Sequence, residues 1–241
     1  MKNERIAIMD IPFINLTRKE FLENHLYPRL MDNEKTFVVT ANPEIVMRTR
    51  EDEEYKKIVQ SADFVVPDGA GIVLASKYIK QPIKERVAGF DIMLDLLEFA
   101  EKKGLSCYFL GAKEEVNKKA VEEAVKKFPN VKIAGRHHGY FDAGDTRIAE
   151  QVAKTNPDLV FVALGFPRQE KWIKENMHRF EKGLFMGVGG SFDVLSGVVK
   201  RAPEFWIRLN LEWFYRLLKQ PFRWKRILKA FEFIIRIVLK K

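Results

Sequence analysis

A single aspartate stands where an apolar run ends, a setting that suits a general base. Asp68 follows the apolar residues Phe64–Val66 and Pro67, and Gly69 comes directly after it. The run is typical of a buried strand, and the proline ring restricts the backbone just before the carboxylate. A carboxylate fixed in this way is able to remove a proton from an attacking hydroxyl, which is typically worth about 10²–10⁴-fold in rate. The sequence leaves open the alternative that Asp68 caps a helix that follows Gly69.

Glycine directly follows three later apolar runs, each of which is typical of a strand. In a parallel sheet such glycines share the carboxyl edge, where backbone amides approach phosphate and ribose closely. We therefore predict a nucleotide-binding crevice. Phe192 stands where a dinucleotide fingerprint beginning at Gly187 would have its third glycine, which disfavours a Rossmann dehydrogenase. The three segments are Leu110-Gly111-Ala112, Leu164-Gly165-Phe166-Pro167 and Met186-Gly187-Val188-Gly189-Gly190-Ser191.

Other polar and basic residues fit a substrate that contains a diphosphate. Thr40 and Asn42 lie at the end of another predicted strand, and Arg86 is a candidate phosphate clamp, with a surface ion pair as its alternative role. The four histidines and the one cysteine form no ligand cluster. The chain also lacks Asp-x-Asp, the motif with which many sugar-nucleotide transferases hold a divalent ion. We therefore predict neither a metal nor another cofactor, so that side-chain cations must neutralise a departing diphosphate.

Alternating strand and helix patterns position these residues, and alternation of this kind predicts parallel strands joined by crossover helices. In the first half, a Thr17/Glu20 capping box begins a predicted helix over Thr17–Leu30, and Gly104 ends another over Asp91–Lys103. We predict an α/β fold with a mostly parallel, Rossmann-like doubly wound sheet. The predicted strands are Phe37–Thr40, Phe64–Val66, Ser106–Leu110, Val131–Ala134, Leu159–Leu164 and Leu184–Val188, and the later helices are Glu114–Phe128, Thr146–Thr155 and Gln169–Met177.

The C-terminal part of the chain, residues 199–241, differs from the rest in charge. These residues, called the tail below, hold the whole formal net charge of +9, so residues 1–198, called the body, are neutral overall. The tail is also rich in tryptophan and phenylalanine. A balanced body with a basic, aromatic-rich tail predicts a catalytic or binding core over 1–198 and an appendage over 199–241 that docks on an anionic surface.

Apolar spacing in the tail favours a membrane surface over nucleic acid. Apolar residues recur at helical intervals over Ile207–Leu218 and over Trp224–Val238, on either side of a predicted break at Pro221. Amphipathic helices with bulky apolar residues opposite cations are typical of segments that lie in the headgroup region. Charged residues interrupt the runs, so none reaches the roughly 18 apolar residues of a spanning helix. The alternative is that both helices pack on the body or on another subunit.

The N-terminal residues contain no apolar stretch of signal-peptide length. We therefore expect a cytoplasmic protein that is peripheral on the inner face of the cell membrane. Exposed apolar surface on the tail also predicts a homo-oligomer when the protein is off the membrane.

Five blocks of sequence resemble the signature segments of the WecG/TagA/CpsF glycosyltransferase family. They occur in the family's order over roughly residues 5–230, and the tail segment Leu211–Leu217 is most similar to the TagA branch, whose members build the linkage unit of wall teichoic acid. The family often has proline where this chain has Ala41. The blocks are Thr40-x-Asn42-x-Glu44-Ile45-Val46-Met47, Val66-Pro67-Asp68-Gly69-x-Gly71-Ile72, Glu85-Arg86-Val87-Ala88-Gly89-Phe90-Asp91, Gly165-x-Pro167-x-Gln169-Glu170-x-Trp172 and Gly187-Val188-Gly189-Gly190-Ser191-Phe192-Asp193.

The resemblance implies an inverting, metal-independent transfer of N-acetylmannosamine from UDP to the 4-hydroxyl of N-acetylglucosamine on undecaprenyl diphosphate. In that reaction Asp68 is the implied base, Thr40 and Asn42 orient sugar or phosphate, and Arg86 contacts a diphosphate. The resemblance also implies that tail arginines cover the pocket when the tail meets the membrane. The implied donor-binding residues are Gly111, Tyr140, Gly165, Gln169, Gly187, Gly189, Gly190, Ser191 and Asp193, and the tail arginines are Arg216, Arg223 and Arg226.

Three alternatives remain open at the level of sequence. A related enzyme of the same family would use another donor, such as UDP-N-acetylmannosaminuronic acid or UDP-glucose. A membrane-associated oxidoreductase on the same kind of sheet would bind NAD rather than a UDP-sugar. A nucleic-acid-binding module would use the tail for strongly salt-dependent binding to DNA. The many bulky apolar residues of the tail argue against such a partner.

Overall fold

A computed structural model of the chain describes residues 4–142, 144–209, 211–220 and 224–239. Its strands are β1 (Arg5–Ile8), β2 (Ile11–Ile14), β3 (Thr36–Ala41), β4 (Phe64–Pro67), β5 (Ser106–Gly111), β6 (Lys132–His137), β7 (Leu159–Ala163) and β8 (Leu184–Gly187). Its α-helices are α1 (Arg18–Phe21), α2 (Tyr27–Met31), α3 (Pro43–Glu51), α4 (Glu53–Gln60), α5 (Ala70–Tyr78), α6 (Gly89–Lys103), α7 (Glu114–Lys127), α8 (Thr146–Lys154), α9 (Arg168–Asn176), α10 (Ser191–Leu195), α11 (Glu204–Arg208), α12 (Glu212–Lys219) and α13 (Trp224–Val238).

The eight strands form one sheet in the order β1-β2-β4-β3-β8-β7-β5-β6. Every neighbouring pair is parallel except β1 and β2, so the predicted mostly parallel, doubly wound α/β fold is confirmed. Two buried apolar clusters cover the sheet: one includes Val39 and Phe185, and the other includes Val38 and Phe161. Adjacent residues of β3 thus face opposite clusters, as the alternation of side chains along a strand requires.

The antiparallel β1–β2 hairpin was not predicted, and its turn explains why. Met9 and Asp10 connect the two strands with φ angles of 50° and 65°. Such two-residue turns favour Asn-Gly or Asp-Gly, and Met-Asp does not carry that signature. The hairpin extends the sheet beyond β4, because Phe13 of β2 pairs with Val65.

The predicted helix over Thr17–Leu30 is present, with an interruption. Both bonds of the capping box form: Glu20 N donates to Thr17 Oγ1 over 3.2 Å, and Thr17 N donates to Glu20 Oε2 over 2.8 Å. A π-helical turn over Leu22–Leu26 separates α1 from α2. Farther along, Gly104 ends α6 with a φ of 66°, which confirms the predicted C-cap.

The tail contains three described helices, α11, α12 and α13, so the prediction of two helices separated only at Pro221 is wrong. The chain leaves the helical conformation between Arg208 and Glu212, and Leu211 N donates to Trp206 O over 2.8 Å there. The apolar period of the sequence continues through this break, which therefore could not be seen in the spacing. Pro221 itself lies outside the described residues. No helix within the described ranges has the length and apolar content that crossing a membrane requires.

Helix α13 packs on the body against α3 and α5. Phe233 is fully buried in one of the two core clusters, and Lys229 forms an ion pair with Glu51 of α3. The opposite side of the helix remains exposed. This exposed row, called the apolar stripe below, consists of Trp224, Leu228, Phe231, Ile235 and Val238.

Phe233→Ala is expected to destabilise the protein by about 3–5 kcal/mol, because truncating a buried ring loses transfer free energy and leaves a cavity. Urea unfolding of the full chain measures this as a lower midpoint with an unchanged m-value. The matched control is Phe231→Ala, two residues away on the same helix, where the side chain is 56% exposed. Equal destabilisation by both substitutions would contradict the placement of α13.

Candidate active site

The carboxyl ends of three neighbouring strands bring several predicted site residues together. Asp68 follows β4, Thr40 is in β3, and Gly187 ends β8. β3 lies between β4 and β8 in the sheet. In doubly wound sheets ligands bind at this edge, so the structure supports the predicted location of a site.

Asp68 is held by backbone on two sides. Its amide donates to Ala41 O over 3.0 Å, and its Oδ2 accepts a hydrogen bond from Gly89 N over 3.3 Å. The N-cap of α5 is Gly69, and no side chain caps that helix, so the alternative role of Asp68 as an N-cap is wrong. The carboxylate is therefore available for chemistry.

Burial raises the pKa of Asp68 above its ordinary value. The negative charge of Glu212 acts in the same direction, whereas Arg86, the Gly89 amide and Arg216 oppose it. The net shift of the pKa is upward because desolvation is the largest of these effects. A carboxylate with a raised pKa binds a proton more tightly than a free one, and this property suits a general base.

Thr40 and Asn42 lie beside Asp68, but each already makes an internal hydrogen bond. Thr40 Oγ1 donates to Gly187 O over 2.9 Å and so joins β3 to β8. Asn42 Oδ1 accepts from Ile45 N over 3.1 Å and caps α3. The hydroxyl oxygen of Thr40 and the amide nitrogen of Asn42 are the parts that remain for a ligand.

The predicted glycines are of two kinds. At Gly111, where φ is 121°, an added Cβ would lie 2.4 Å from the carbonyl carbon of Ala163, so this glycine allows two backbones to approach closely. Gly165 and Gly189, by contrast, have no atom within 4 Å of such a Cβ, so each faces open space. The second kind leaves backbone uncovered at the sheet edge, and the first kind allows neighbouring backbones to pack closely there.

A buried network holds the Gly189 loop in place. Gly189 N donates to Gln169 Oε1 over 3.1 Å, and Gln169 Nε2 donates to Glu170 Oε1 over 2.7 Å. Tyr55 OH completes the chain by donating to Glu170 Oε2 over 3.1 Å. Burial raises the pKa of Glu170 and that of Tyr55. Gln169 therefore positions the loop through both ends of its amide, and its predicted contact with the donor stays a prediction.

The remaining donor-binding predictions are spread along the sheet edge. Gly190 precedes α10, Ser191 begins it and is buried, and Asp193 lies in its first turn. Tyr140 follows the edge strand β6, five positions from β4 in the sheet order, and is 69% exposed. The structure thus places Gly190, Ser191 and Asp193 after β8, near the Asp68 edge, but it does not bring Tyr140 to Asp68.

A buried ion-pair cluster joins the tail to the body beside Asp68. Glu212 of α12 accepts from Arg86 Nη2 over 2.6 Å and from Arg216 Nη2 over 2.5 Å, and it is only 7% exposed. Burial opposes ionisation of Glu212, but the cations Arg216 and Arg86 outweigh burial and lower its pKa. Arg86 Nε is buried and has no hydrogen-bond partner among the described residues. The guanidinium of Arg86 therefore has one donor that its bond to Glu212 does not use.

The other two tail arginines of the prediction are not part of this cluster. Arg226 Nε lies 3.7 Å from Glu44 Oε1 at the start of α3. Arg223 lies outside the described residues. Sequence reasoning did not single out Glu212 as a site residue, because its partner Arg86 is 126 residues away. It also missed Glu170 and Tyr55, although Glu170 directly follows the predicted Gln169.

The arrangement combines a desolvated carboxylate, cations and open glycine backbone at one sheet edge. Within the part of the chain that the structure describes, no group of three or more His, Cys, Asp or Glu side chains is placed to hold a metal ion. Such a site is able to remove a proton from a hydroxyl and to stabilise a departing phosphate through side-chain charge.

Comparison with known proteins agrees with this chemistry. The sequence model described as "Glycosyl transferase WecG/TagA/CpsF family" matches residues 6–241. A protein of Bacillus subtilis (strain 168) named N-acetylglucosaminyldiphosphoundecaprenol N-acetyl-beta-D-mannosaminyltransferase is 42% identical over 96% of this chain and 90% of its own length. Proteins of the same name from Bacillus spizizenii and Staphylococcus aureus (strain MRSA252) are 40% and 38% identical, over 96% and 92% of this chain and 90% and 87% of their own lengths.

Proposed function

Because this chain belongs to the WecG/TagA/CpsF glycosyltransferase family, we propose that it transfers N-acetylmannosamine from UDP to the 4-hydroxyl of N-acetylglucosamine on undecaprenyl diphosphate. The names of its relatives support the acceptor and the sugar that is moved. We further propose that the transfer inverts the anomeric centre and needs no metal. The product would feed synthesis of a cell-surface polymer of the teichoic acid kind.

The observation that carries this proposal is the position and state of Asp68. The carboxylate follows β4 at the carboxyl edge of the sheet, beside the positive charge of Arg86, and burial raises its pKa. An inverting transfer requires one base on the acceptor side of the reacting sugar carbon. Asp68 is the residue at this edge that meets the requirement.

In the proposed step Asp68 takes the proton of the acceptor 4-hydroxyl while that oxygen forms a bond to the anomeric carbon of the donor. The bond from this carbon to the diphosphate breaks, and UDP leaves with the bonding electrons. Arg86 and the tail arginines Arg216, Arg223 and Arg226 supply the positive charge that balances UDP. Side chains in this way take the place of a divalent cation.

The donor is proposed to lie along the glycine edge. Backbone of Gly165, Gly189 and Gly190 would approach the diphosphate and the ribose, and Asp193 and Ser191 would bind uridine hydroxyls. Thr40 and Asn42 would orient the transferred sugar through their remaining polar atoms. Gly111, Gly187 and Gln169 contribute by shaping this edge, and Tyr140 would reach the donor only from the far end of the sheet.

Gly187→Ala is expected to weaken UDP binding about tenfold. The added Cβ would lie 2.6 Å from Gln169 Nε2, and Gln169 is too buried to move away without displacing the Gly189 loop. Overpacking of this kind typically costs about 1–3 kcal/mol. Calorimetric titration with UDP measures the effect, and Gly144→Ala is the control because nothing lies within 4 Å of its added Cβ. An unchanged affinity in Gly187→Ala would show that the loop does not bind UDP.

The experiment that tests the proposed function is a donor screen with a water-soluble analogue of polyprenyl-diphosphate-linked N-acetylglucosamine. We expect turnover with UDP-N-acetylmannosamine and a product of inverted configuration, in the presence of EDTA. Turnover with UDP-N-acetylmannosaminuronic acid or UDP-glucose instead would replace the donor and keep the reaction. Binding of NAD in place of UDP-sugars, or an obligatory magnesium requirement, would overturn the proposal.

The tail is proposed to place the protein on the cytoplasmic face of the membrane. The apolar stripe of α13 is exposed on a tail that holds the formal net charge of +9, and Phe205 and Leu218 of α11 and α12 are also exposed. Apolar residues next to cations are what an anionic bilayer surface binds. Off the membrane, the same apolar surface would hold copies of the chain together.

Binding to vesicles tests the proposed membrane-binding surface. The wild-type chain is expected to bind phosphatidylglycerol vesicles more tightly than neutral ones, and Leu228→Asp together with Ile235→Asp is expected to weaken binding at least tenfold. The control is Val125→Asp, which places an aspartate on an exposed apolar position of α7, outside the tail. Equal binding to neutral vesicles, or no effect of the double substitution, would contradict the proposed surface.

A further inference from the structure

A pocket of about 390 Å³ lies between the body and the tail, next to the Arg86–Glu212 ion pair. Its walls come from α5, from the segment before α6 and from the start of α6, and Ile207 of α11 closes it on the tail side. The volume falls within the roughly 300–1,000 Å³ that is usual for small-molecule sites.

Two ion pairs hold the tail over this pocket. Arg201 Nη2 lies 2.6 Å from Asp91 Oδ1, and Glu212 Oε2 lies 2.6 Å from Arg86 Nη2. Asp91 and Arg86 both line the pocket, and Ile207 lies between Arg201 and Glu212 in the sequence. The tail segment is thus fixed at both ends to the pocket walls, so the pocket is complete only while the tail is docked.

The pocket adjoins Asp68 through the segment that precedes α6. Ala88 lines it, and the next residue, Gly89, donates its amide to Asp68 Oδ2. Lys84, also in the wall, donates its amide to Asn15 Oδ1 just beyond β2 over 2.9 Å. β2 and β3 lie on opposite sides of β4. In the order of the sheet, β4, which Asp68 follows, therefore lies between β2, just beyond which the pocket wall makes its contact, and the strands that the open glycines follow.

The lining of the pocket suits an uncharged, hydroxylated ring. Its ionised wall residues balance, because Lys84 and Arg86 are matched by Glu85 and Asp91. A diphosphate would find no excess of positive charge here, whereas sugar hydroxyls are able to donate to carboxylates and accept from cations. The buried Nε of Arg86 adds a donor without a partner among the described residues. Apolar contacts for a ring face and an acetyl methyl come from Val73, Ala88 and Ile207.

We propose that this pocket binds the N-acetylglucosamine ring of the acceptor, with the tail as its fourth wall. The inference rests on the proposed function and adds the acceptor subsite to it. In this arrangement the acceptor hydroxyl meets Asp68 from the pocket, and the donor sugar meets it from the glycine edge. The tail therefore contributes to recognition of the sugar as well as to docking on lipid.

Ile207→Trp tests the inference in the full-length chain, because the larger side chain fills the pocket from the tail side. The probe is N-acetylglucosamine on a short, water-soluble polyprenyl diphosphate, which removes the membrane from the measurement. We expect the KM for this acceptor to rise at least tenfold, while the Kd of UDP stays within twofold of the wild-type value. The matched control is Val125→Trp, at an exposed apolar position of α7 outside the pocket, which should leave both constants unchanged.

A second variant, Glu85→Gln, keeps the size of the side chain and removes one carboxylate from the wall. It should raise the acceptor KM several-fold with the same unchanged Kd for UDP, and the UDP titration also shows that each variant is folded. Wild-type turnover combined with an unchanged acceptor KM in both variants would overturn this inference alone. Failure of the wild-type chain to use this acceptor with any UDP-sugar would overturn the proposed function and this inference together.

Discussion

Asp68→Asn is expected to lower the turnover number by about 10²–10⁴-fold, the usual contribution of a general base. The amide has nearly the same shape as the carboxylate and is able to keep the hydrogen bond from Gly89 N, but it cannot accept the proton of the acceptor hydroxyl. Because burial disfavours the charged carboxylate, a neutral group at this position should not destabilise the fold. The measurement is the initial rate with UDP-N-acetylmannosamine and the soluble acceptor analogue.

The pH dependence gives a second measure of the same role. Protonation of Asp68 removes the base, so kcat/KM of the wild-type enzyme should fall as the pH drops through the pKa of Asp68. Since burial raises that pKa, this acid limb should lie above the value of about 3.9 for a free aspartate.

The matched control for Asp68→Asn is Asp32→Asn, at an exposed position after α2. A wild-type rate in Asp68→Asn would show that the base is another residue.

Glu212→Lys is expected to lower kcat/KM for the acceptor by about 100-fold or more. The substitution places a third cation between Arg86 and Arg216 in a buried position, where breaking an ion pair typically costs about 3–5 kcal/mol. Each 1.36 kcal/mol corresponds to about a tenfold change in an equilibrium constant, here that of tail docking. UDP affinity should change much less than kcat/KM for the acceptor, because the glycine edge proposed to hold the ribose and uridine is untouched. Steady-state kinetics and calorimetric titration measure the two quantities.

The chain offers a close control for this charge reversal. Glu204 also pairs with the arginine four residues later, Arg208, but both side chains are exposed and neither contacts the body through this pair. Glu204→Lys changes the net charge of the tail equally and should leave kcat/KM nearly unchanged. Equal losses in Glu204→Lys and Glu212→Lys would mean that overall charge, and not docking, matters. Deleting residues 200–241 is a less selective test, because it also removes Phe233 from the core.

The body of the fold was predictable because its signals are local. Apolar runs that end in glycine mark strands β5, β7 and β8, and a capping box marks the start of α1. The position of Asp68 at the sheet edge followed from the same reasoning, since parallel strands present their carboxyl ends together. These features depend on residues close to one another in the sequence, so a single sequence contains them.

The features that sequence reasoning missed depend on distant contacts. The break before Glu212 leaves the apolar spacing of the tail intact, and the ion pair of Glu212 joins it to Arg86, 126 residues away. Likewise, the sequence gives no sign that the amide of Gln169, predicted to touch the donor, also bonds to Glu170 and Gly189. No pattern of periodicity distinguishes a glutamine that supports a loop from one that contacts a ligand. Only the three-dimensional structure shows the hydrogen-bond partners of such a side chain.

The burial of Phe233 fixes the orientation that the enzyme would have on the membrane surface. Because this ring anchors α13 to the body while the apolar stripe faces outward, the helix cannot swing as a tether in the proposed orientation. The distance between Asp68 and the bilayer surface would then be fixed by the fold. The polyprenyl chain of the acceptor then needs only the length that keeps it inserted in the bilayer. Additional isoprene units would not bring the N-acetylglucosamine any closer to Asp68.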